Sequence, residues 1–273
     1  MSGPKPAIDT GRNGFNGLDA DELPDPSKLF DMSGKTVLIT GGSRGMGRAM
    51  SHGFAAAGAD VIVTSRKLDA CEAVAAEIRS AGRRALAVAC HVGKWDDIER
   101  LMEAAYGEFG RIDVLINNAG MSPASPSSDS VSEALFDKIL DVNFKGPFRL
   151  TAKVAKRMAE QGGGSIINVS SLSAIRPSPA TSPYAGAKAA LNAASVAIAL
   201  EYAARGVRVN VIAPGAFATD IAQGWADPEQ VRLRAASQRV ADPREIVTAA
   251  LYFASDFSSF TTGANLRVDG GRA

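Results

Sequence analysis

Short apolar runs alternate with longer amphipathic ones along most of this chain. The short runs predict strands near residues 36–40, 61–65, 85–90, 112–117, 165–170, 207–212 and 265–268. The longer runs predict helices over 45–57, 68–81, 95–109, 133–160, 184–204 and 244–255. Strands such as VLIT and VLIN are apolar throughout rather than at every second position, so both of their faces should be covered. Strand and helix in strict turn imply right-handed crossovers and one parallel sheet with helices on either side. The fold class is therefore α/β, a doubly wound parallel sheet. Neither an internal repeat nor a break in composition divides residues 30–273, which read as one catalytic domain.

Residues 1–29 differ in character. They are rich in Gly, Pro and Asp and lack the apolar core of a signal peptide. They read as a flexible extension, or alternatively as an arm along a neighbouring subunit, anchored by Phe15, Leu18 and Leu23.

The first strand runs into a glycine turn, TGGSRGMG, at residues 40–47. A helix and a second strand follow, which is the opening unit of a Rossmann-like dinucleotide-binding fold. Gly41 permits a tight turn out of the strand. Gly45 and Gly47 remove side chains where a pyrophosphate and the helix must approach closely. The helix N-terminus then offers free N–H groups to an anion.

A second group of residues lies far downstream. Tyr184 and Lys188 are four residues apart, hence one turn apart on one helix face, and Ser171 lies thirteen residues before Tyr184. A phenol is a poor base at neutral pH, with an unperturbed pKa of about 10, and a nearby cation lowers it. With a serine hydroxyl opposite, these are the parts needed to move a proton on and off an alcohol or carbonyl oxygen.

Together the two groups resemble the short-chain dehydrogenase/reductase family, from about residue 30 to the C-terminus. Thr40, Gly41, Gly45 and Gly47 match its glycine motif, and VLINNAG supplies Asn117, Asn118, Ala119 and Gly120. The resemblance implies Asn143, Ser171, Tyr184 and Lys188 as catalytic residues. In it, Tyr184 transfers the proton, Ser171 polarises the carbonyl, Lys188 lowers the tyrosine pKa and holds the nicotinamide ribose, and Asn143 holds a water. The implied cofactor contacts are Gly41, Ser43, Arg44, Gly45, Met46, Gly47, Ser65, Arg66, His91, Val92, Asn118, Ala119, Gly120, Tyr184, Lys188, Pro214, Gly215 and Thr219. One departure stands out. Where the family usually has an Asp against adenine, this chain has His91, which either donates to or stacks on the ring, or simply fills the pocket edge.

The second strand ends Thr64-Ser65-Arg66, with no acid to accept from a ribose 2′-OH. Arg66 and Arg44 instead suit a 2′-phosphate, so NADP(H) is expected, with NAD(H) the alternative. The substrate segment spans roughly 216–240, where Phe217 and Trp225 would line an apolar pocket and Arg232, Arg234 and Arg239 would draw an anionic carrier or form a solvated face. The Ser/Pro loop at 122–130 is a candidate rim of the substrate site, or equally a plain surface loop.

Charge narrows the partners. With 30 basic and 29 acidic residues, nothing implies nucleic acid or an anionic membrane. Two histidines are too few and too scattered for a metal site, and no apolar stretch reaches the roughly 20 residues of a membrane span. Cys71 and Cys90 read as free thiols, which points to the cytoplasm. The expected function is an oxidoreductase interconverting a carbonyl and a secondary alcohol, with a 3-oxoacyl-thioester reductase or a sugar or polyol dehydrogenase as narrower alternatives. A dinucleotide sensor without turnover is the reading from another class. The long helical runs 133–160 and 184–204 carry more apolar residues than one sheet face needs, so a homotetramer or dimer is expected.

Overall fold

In the computed structural model, residues 25–220 and 227–272 are described. Seven parallel strands form one sheet in the order β3-β2-β1-β4-β5-β6-β7. They are β1 (Thr36–Thr40), β2 (Asp60–Ser65), β3 (Ala85–Ala89), β4 (Val114–Asn117), β5 (Gly164–Val169), β6 (Val207–Pro214) and β7 (Asn265–Val268). The order reverses between β1 and β4, which pair from Val37 with Val114 to Thr40 with Asn117. A doubly wound sheet opens its ligand crevice at such a reversal, beyond the carboxyl ends of the strands.

The sheet is covered on both faces, as its apolar strands require. Val37 and Ile39 point to one side, against Met50 and Phe54 of α1 (Gly45–Ala56), Val74 and Ile78 of α2 (Leu68–Ser80), and Leu251 and Phe253. Leu38, between them, points to the other side. There it meets the layer of α3 (Trp95–Phe109), α5 (Gly146–Glu160) and α6 (Ser182–Tyr202), which supplies Leu101, Val154 and Ile198. Burying an aliphatic or aromatic side chain stabilises by roughly 1.5–3 kcal/mol, and more than forty apolar residues are buried.

Two predicted helices differ from what forms, and one further helix was not predicted. The run 133–160 is two helices, α4 (Glu133–Leu140) and α5, joined by a π turn over Asp141–Lys145. The run 244–255 begins as a 3-10 turn, Pro243–Ile246, and continues as α8 (Val247–Ala254). A short helix, α7 (Pro228–Leu233), is capped by the Asp227 side chain, which accepts from the Gln230 N–H at 3.0 Å. Among the described residues no helix is long and apolar enough to cross a membrane. The candidate anchors in residues 1–24, and Trp225, lie outside the described residues.

Candidate active site

The strand reversal is tied by one hydroxyl. Thr40 Oγ1, at the end of β1, accepts from the N–H groups of Asn118 (3.0 Å) and Ala119 (3.1 Å). Asn118 returns the contact, its Nδ2 donating to the carbonyls of Thr40 and Gly41. Asn118 therefore fastens the mouth of the crevice through backbone bonds.

The glycine turn is shaped for a close visitor. Gly41 and Gly45 have φ of 64° and 51°, where side chains are rarely tolerated. A Cβ on Gly47 would collide with the Gly41 carbonyl. Met46 packs against the core and Thr219 lies over Gly45, its methyl 3.2 Å from where a Cβ would stand. Arg44 caps α1 with no side-chain bond, so the helix's first N–H groups receive no side-chain cap. Ser43 Oγ donates to Ser65 Oγ at 3.0 Å, joining the turn to the end of β2.

The two arginines expected to flank that corner behave differently. Arg44 pairs with Asp220 at 2.7 Å, and both side chains are more than half exposed. Arg66 is exposed and makes no ion pair among the described residues. His91 sits at the end of β3, with its Nδ1 accepting from the Gly93 N–H at 3.2 Å and its own N–H donating to Asp97. That bond leaves the Nε2 position for the proton of a neutral ring. Val92 is buried, its carbonyl occupying the space a Cβ on Gly146 would need. Gly215 follows Pro214 and packs on Asp269, leaving no room for a Cβ there.

On the other side of the crevice, β5 and α6 bring Ser171, Tyr184 and Lys188 together. Lys188 is buried, and its ammonium donates to the Val169 carbonyl at 2.8 Å. This is its one hydrogen bond among the described residues, although an ammonium has three donors. Burial lowers its pKa to about 8. Tyr184, in the first turn of α6, is half-buried. Burial raises its phenol pKa, against a smaller lowering by the Ser171 side chain.

The phenol therefore does not follow the sequence expectation in the protein alone. Lys188 was to depress it, but the ammonium is turned to Val169 and desolvation dominates. Ser171 also accepts from the Ser173 N–H at 3.1 Å, which fixes its rotamer. Its neighbour Ser170 is buried and donates to the Lys188 carbonyl, a purely structural contact.

Asn143 lies in the π turn and is fully buried. Its amide donates to the carbonyls of Met121 and Ile139, both at 2.9 Å, and accepts from the Met121 N–H at 3.2 Å. Oδ1 keeps a second lone pair, and it and the Lys188 ammonium both border the space a Cβ on Gly120 would fill, 3.0 and 3.7 Å from it. The bulge is what aims the amide at the strand end, a frequent use of π turns. Beneath it, Asn117, Thr151, Asn168 and Ser195 form a buried hydrogen-bonded chain from β4 and β5 to α5 and α6. Of these, sequence reasoning singled out only Asn117.

The substrate segment corrects two expectations. Phe217 is buried in the hydrophobic core and does not line a pocket. Arg232 pairs with Glu229 and Arg239 with Glu245, so neither is a free cation. The loop at 122–130 touches the first turn of α6, where Ser128 and Ser182 meet at 3.0 Å.

A strand-glycine-helix turn at the sheet reversal, facing a tyrosine and a buried lysine, defines a nicotinamide-dependent oxidoreductase class. The family model described as short chain dehydrogenase matches residues 35–230. The chain belongs to the short-chain dehydrogenase/reductase family. It is 41% identical over 251 residues to 3beta-hydroxysteroid dehydrogenase 1 of Eggerthella lenta, covering 88% of this chain and 94% of that one. Among solved structures, a short-chain type dehydrogenase/reductase from Mycobacterium marinum superimposes with a TM-score of 0.86 at 35% identity, covering 90% of this chain and 98% of that one. The 3-ketoacyl-(acyl-carrier-protein) reductase from Brucella melitensis, complexed with NADH, gives 0.83 at 34% identity, covering 88% and 99%.

Proposed function

We propose that this chain interconverts a carbonyl and a secondary alcohol with NADP(H), Tyr184 transferring the proton. The observation that carries the reading is Lys188, a buried ammonium with one backbone partner, one turn of α6 beyond Tyr184. A buried cation short of partners calls for further acceptors at the site. A ribose hydroxyl and a water suit it. The glycine turn, stripped of side chains and open at the helix N-terminus, fits a pyrophosphate equally well.

When bound, the dinucleotide supplies or takes up the hydride. In the reducing direction, Ser171 donates a hydrogen bond to the substrate carbonyl oxygen. Tyr184 then gives its proton to that oxygen, and in oxidation it takes the proton back. A phenol held above its ordinary pKa keeps its proton at neutral pH, so it carries the proton to be given but is a weaker acid until positive charge is brought near it. Ribose hydroxyls and water drawn to Lys188 connect the phenol to the ammonium, and Asn143 holds the water through Oδ1. For NADP(H), Ser65 leaves the ribose corner without a carboxylate, and exposed Arg66 is available to a phosphate. The Arg44–Asp220 pair is exposed and worth roughly 0–1 kcal/mol, so it yields readily to a doubly charged phosphate. NAD(H) is the alternative, supported by the likeness to a reductase complexed with NADH.

Residues 30–273 form the catalytic domain in this reading, in a cytoplasmic setting that suits two buried free thiols. Self-association as a homotetramer or dimer is supported by exposed Phe136 and Phe148 on α4 and α5 and Val196 and Leu200 on α6. Light scattering at micromolar concentration tests assembly. Steady-state assays with both cofactors on ketones, steroids, sugars and acyl thioesters test the activity. Dinucleotide binding without turnover on the whole panel would establish the sensor reading instead.

A further inference from the structure

Arg44 is paired with a carboxylate from a distant part of the chain. Its guanidinium donates to Asp220 Oδ2 at 2.7 Å, across 176 residues. Arg44 belongs to the glycine turn, and Asp220 to the segment that leaves β6. The ion pair therefore joins the turn to the root of the proposed substrate segment.

The backbone brings Asp220 there. Phe217 is buried in the core and forms a parallel bridge with Ala241. The Ala218 N–H donates to the Ala241 carbonyl, and the Ala241 N–H to the Ala216 carbonyl, both at 2.9 Å. The Thr219 N–H donates to the Phe217 carbonyl at 2.8 Å, and the Thr219 methyl packs over Gly45. The chain is thus held as far as the residue before Asp220.

Arg44 is placed from the other side. It is the extended N-cap of α1, and its neighbour Ser43 donates to Ser65 Oγ at 3.0 Å. Arg66 follows Ser65. Arg44 and Arg66 therefore flank one hydrogen bond, at the end of β2.

Ser65 brings no carboxylate to that corner, but Asp220 does. A carboxylate and a phosphate make the same charge-assisted bonds to a guanidinium. With Asp220 on Arg44, the positive charge offered to a 2′-phosphate is offset. Both side chains are more than half exposed, so the pair is weak and a dianion displaces it. A 2′-hydroxyl has no charge with which to do so. The competition therefore falls on one dinucleotide and not on the other.

We propose that Asp220 is a specificity-determining residue, a competitor for Arg44 that weakens binding of the 2′-phosphorylated dinucleotide and leaves the unphosphorylated one nearly unaffected. The inference rests on the dinucleotide-dependent reading above and names a residue that tunes its cofactor choice. By linkage, the phosphate that takes Arg44 also frees Asp220, and with it the start of the substrate segment.

Calorimetric titration of the full chain with NADP+ and NAD+ tests this without turnover. Low ionic strength is used, where exposed charges are least screened. Asp220→Asn should tighten NADP+ by about three- to fivefold and change NAD+ by less than about 1.5-fold. Asp220→Ala, at the same exposed position, should repeat the result. In an Arg44→Gln background the gain should vanish, because the carboxylate then has no guanidinium to occupy. Unchanged or weaker NADP+ binding in Asp220→Asn overturns the inference, weaker binding meaning that the carboxylate orients Arg44 instead. An equal gain for both dinucleotides overturns it too, as does a gain that persists in Arg44→Gln, which is plain repulsion. If the wild type binds NAD+ alone and Asp220→Asn does not change that, the inference falls and the oxidoreductase reading stands. Binding of neither dinucleotide overturns both.

Discussion

The Lys188 ammonium donates to the Val169 carbonyl at 2.8 Å, fully inside the protein, with no other hydrogen bond among the described residues. The free protein therefore carries a charge it only partly compensates. Below about pH 8 the folded state bears that buried charge in full. Between about 8 and 10.5 it sheds the proton while the unfolded chain keeps it, so this group's contribution to stability rises with pH across that window. The change is on the order of 3 kcal/mol. Urea unfolding across the window, without cofactor, should show the wild type gaining stability relative to Lys188→Met as pH rises, on top of the opposite slope that the buried thiols and phenols give both proteins. Parallel slopes would contradict the buried charge.

Tyr184→Phe removes one oxygen and keeps the ring that fills its place. Turnover should fall by about 10²–10⁴-fold, while dinucleotide affinity changes by less than about twofold. Stopped-flow reduction and fluorescence titration measure the two quantities separately. Substantial residual turnover would move the proton transfer to another group.

Gly47→Ala places a methyl against the Gly41 carbonyl and 2.6 Å from Asn118 Nδ2, both backbone-locked neighbours. The turn must open to admit it. Stability should drop by roughly 1–3 kcal/mol, and dinucleotide affinity by at least about tenfold. Calorimetric Tm and binding titration report both. An unchanged affinity would mean that the turn does not contact the cofactor.

Cofactor choice should follow the end of β2. The ratio of kcat/KM for NADPH over NADH should exceed about 10, and Arg66→Ala should lower it by about that factor. Ser65→Asp, which puts a carboxylate beside Ser43, should reverse it. Arg44→Ala should lower it as well, because the exposed Arg44–Asp220 pair yields to the phosphate. Equal use of both cofactors by the wild type would set the reading aside.

Strands were legible because a doubly covered sheet demands apolar runs, and the glycine turn because its geometry admits few residues. The helix break at 141–145 was hidden, since one extra residue in a turn barely disturbs an amphipathic pattern. Pro147 at the start of α5 and Pro183 at the start of α6 were the available signals, as was Asp227-Pro228 for α7. Phe217, the Arg44–Asp220 pair and the buried chain through Thr151, Asn168 and Ser195 were not legible. Each depends on which distant segments meet, and local spacing carries no record of that.

The union of β1 with β4 has a consequence for how the chain acquires its activity. Every strand pair is parallel, so no hairpin can start the sheet, and each pairing waits for a long loop to close. At the central seam, the Thr36 N–H reaches the Asp113 carboxylate across 77 residues of chain. The glycine turn lies on one side of that seam and Ser171, Tyr184 and Lys188 on the other. Neither half holds a complete crevice. In refolding from denaturant, helical signal should return early, while dinucleotide binding should return only after the halves have docked.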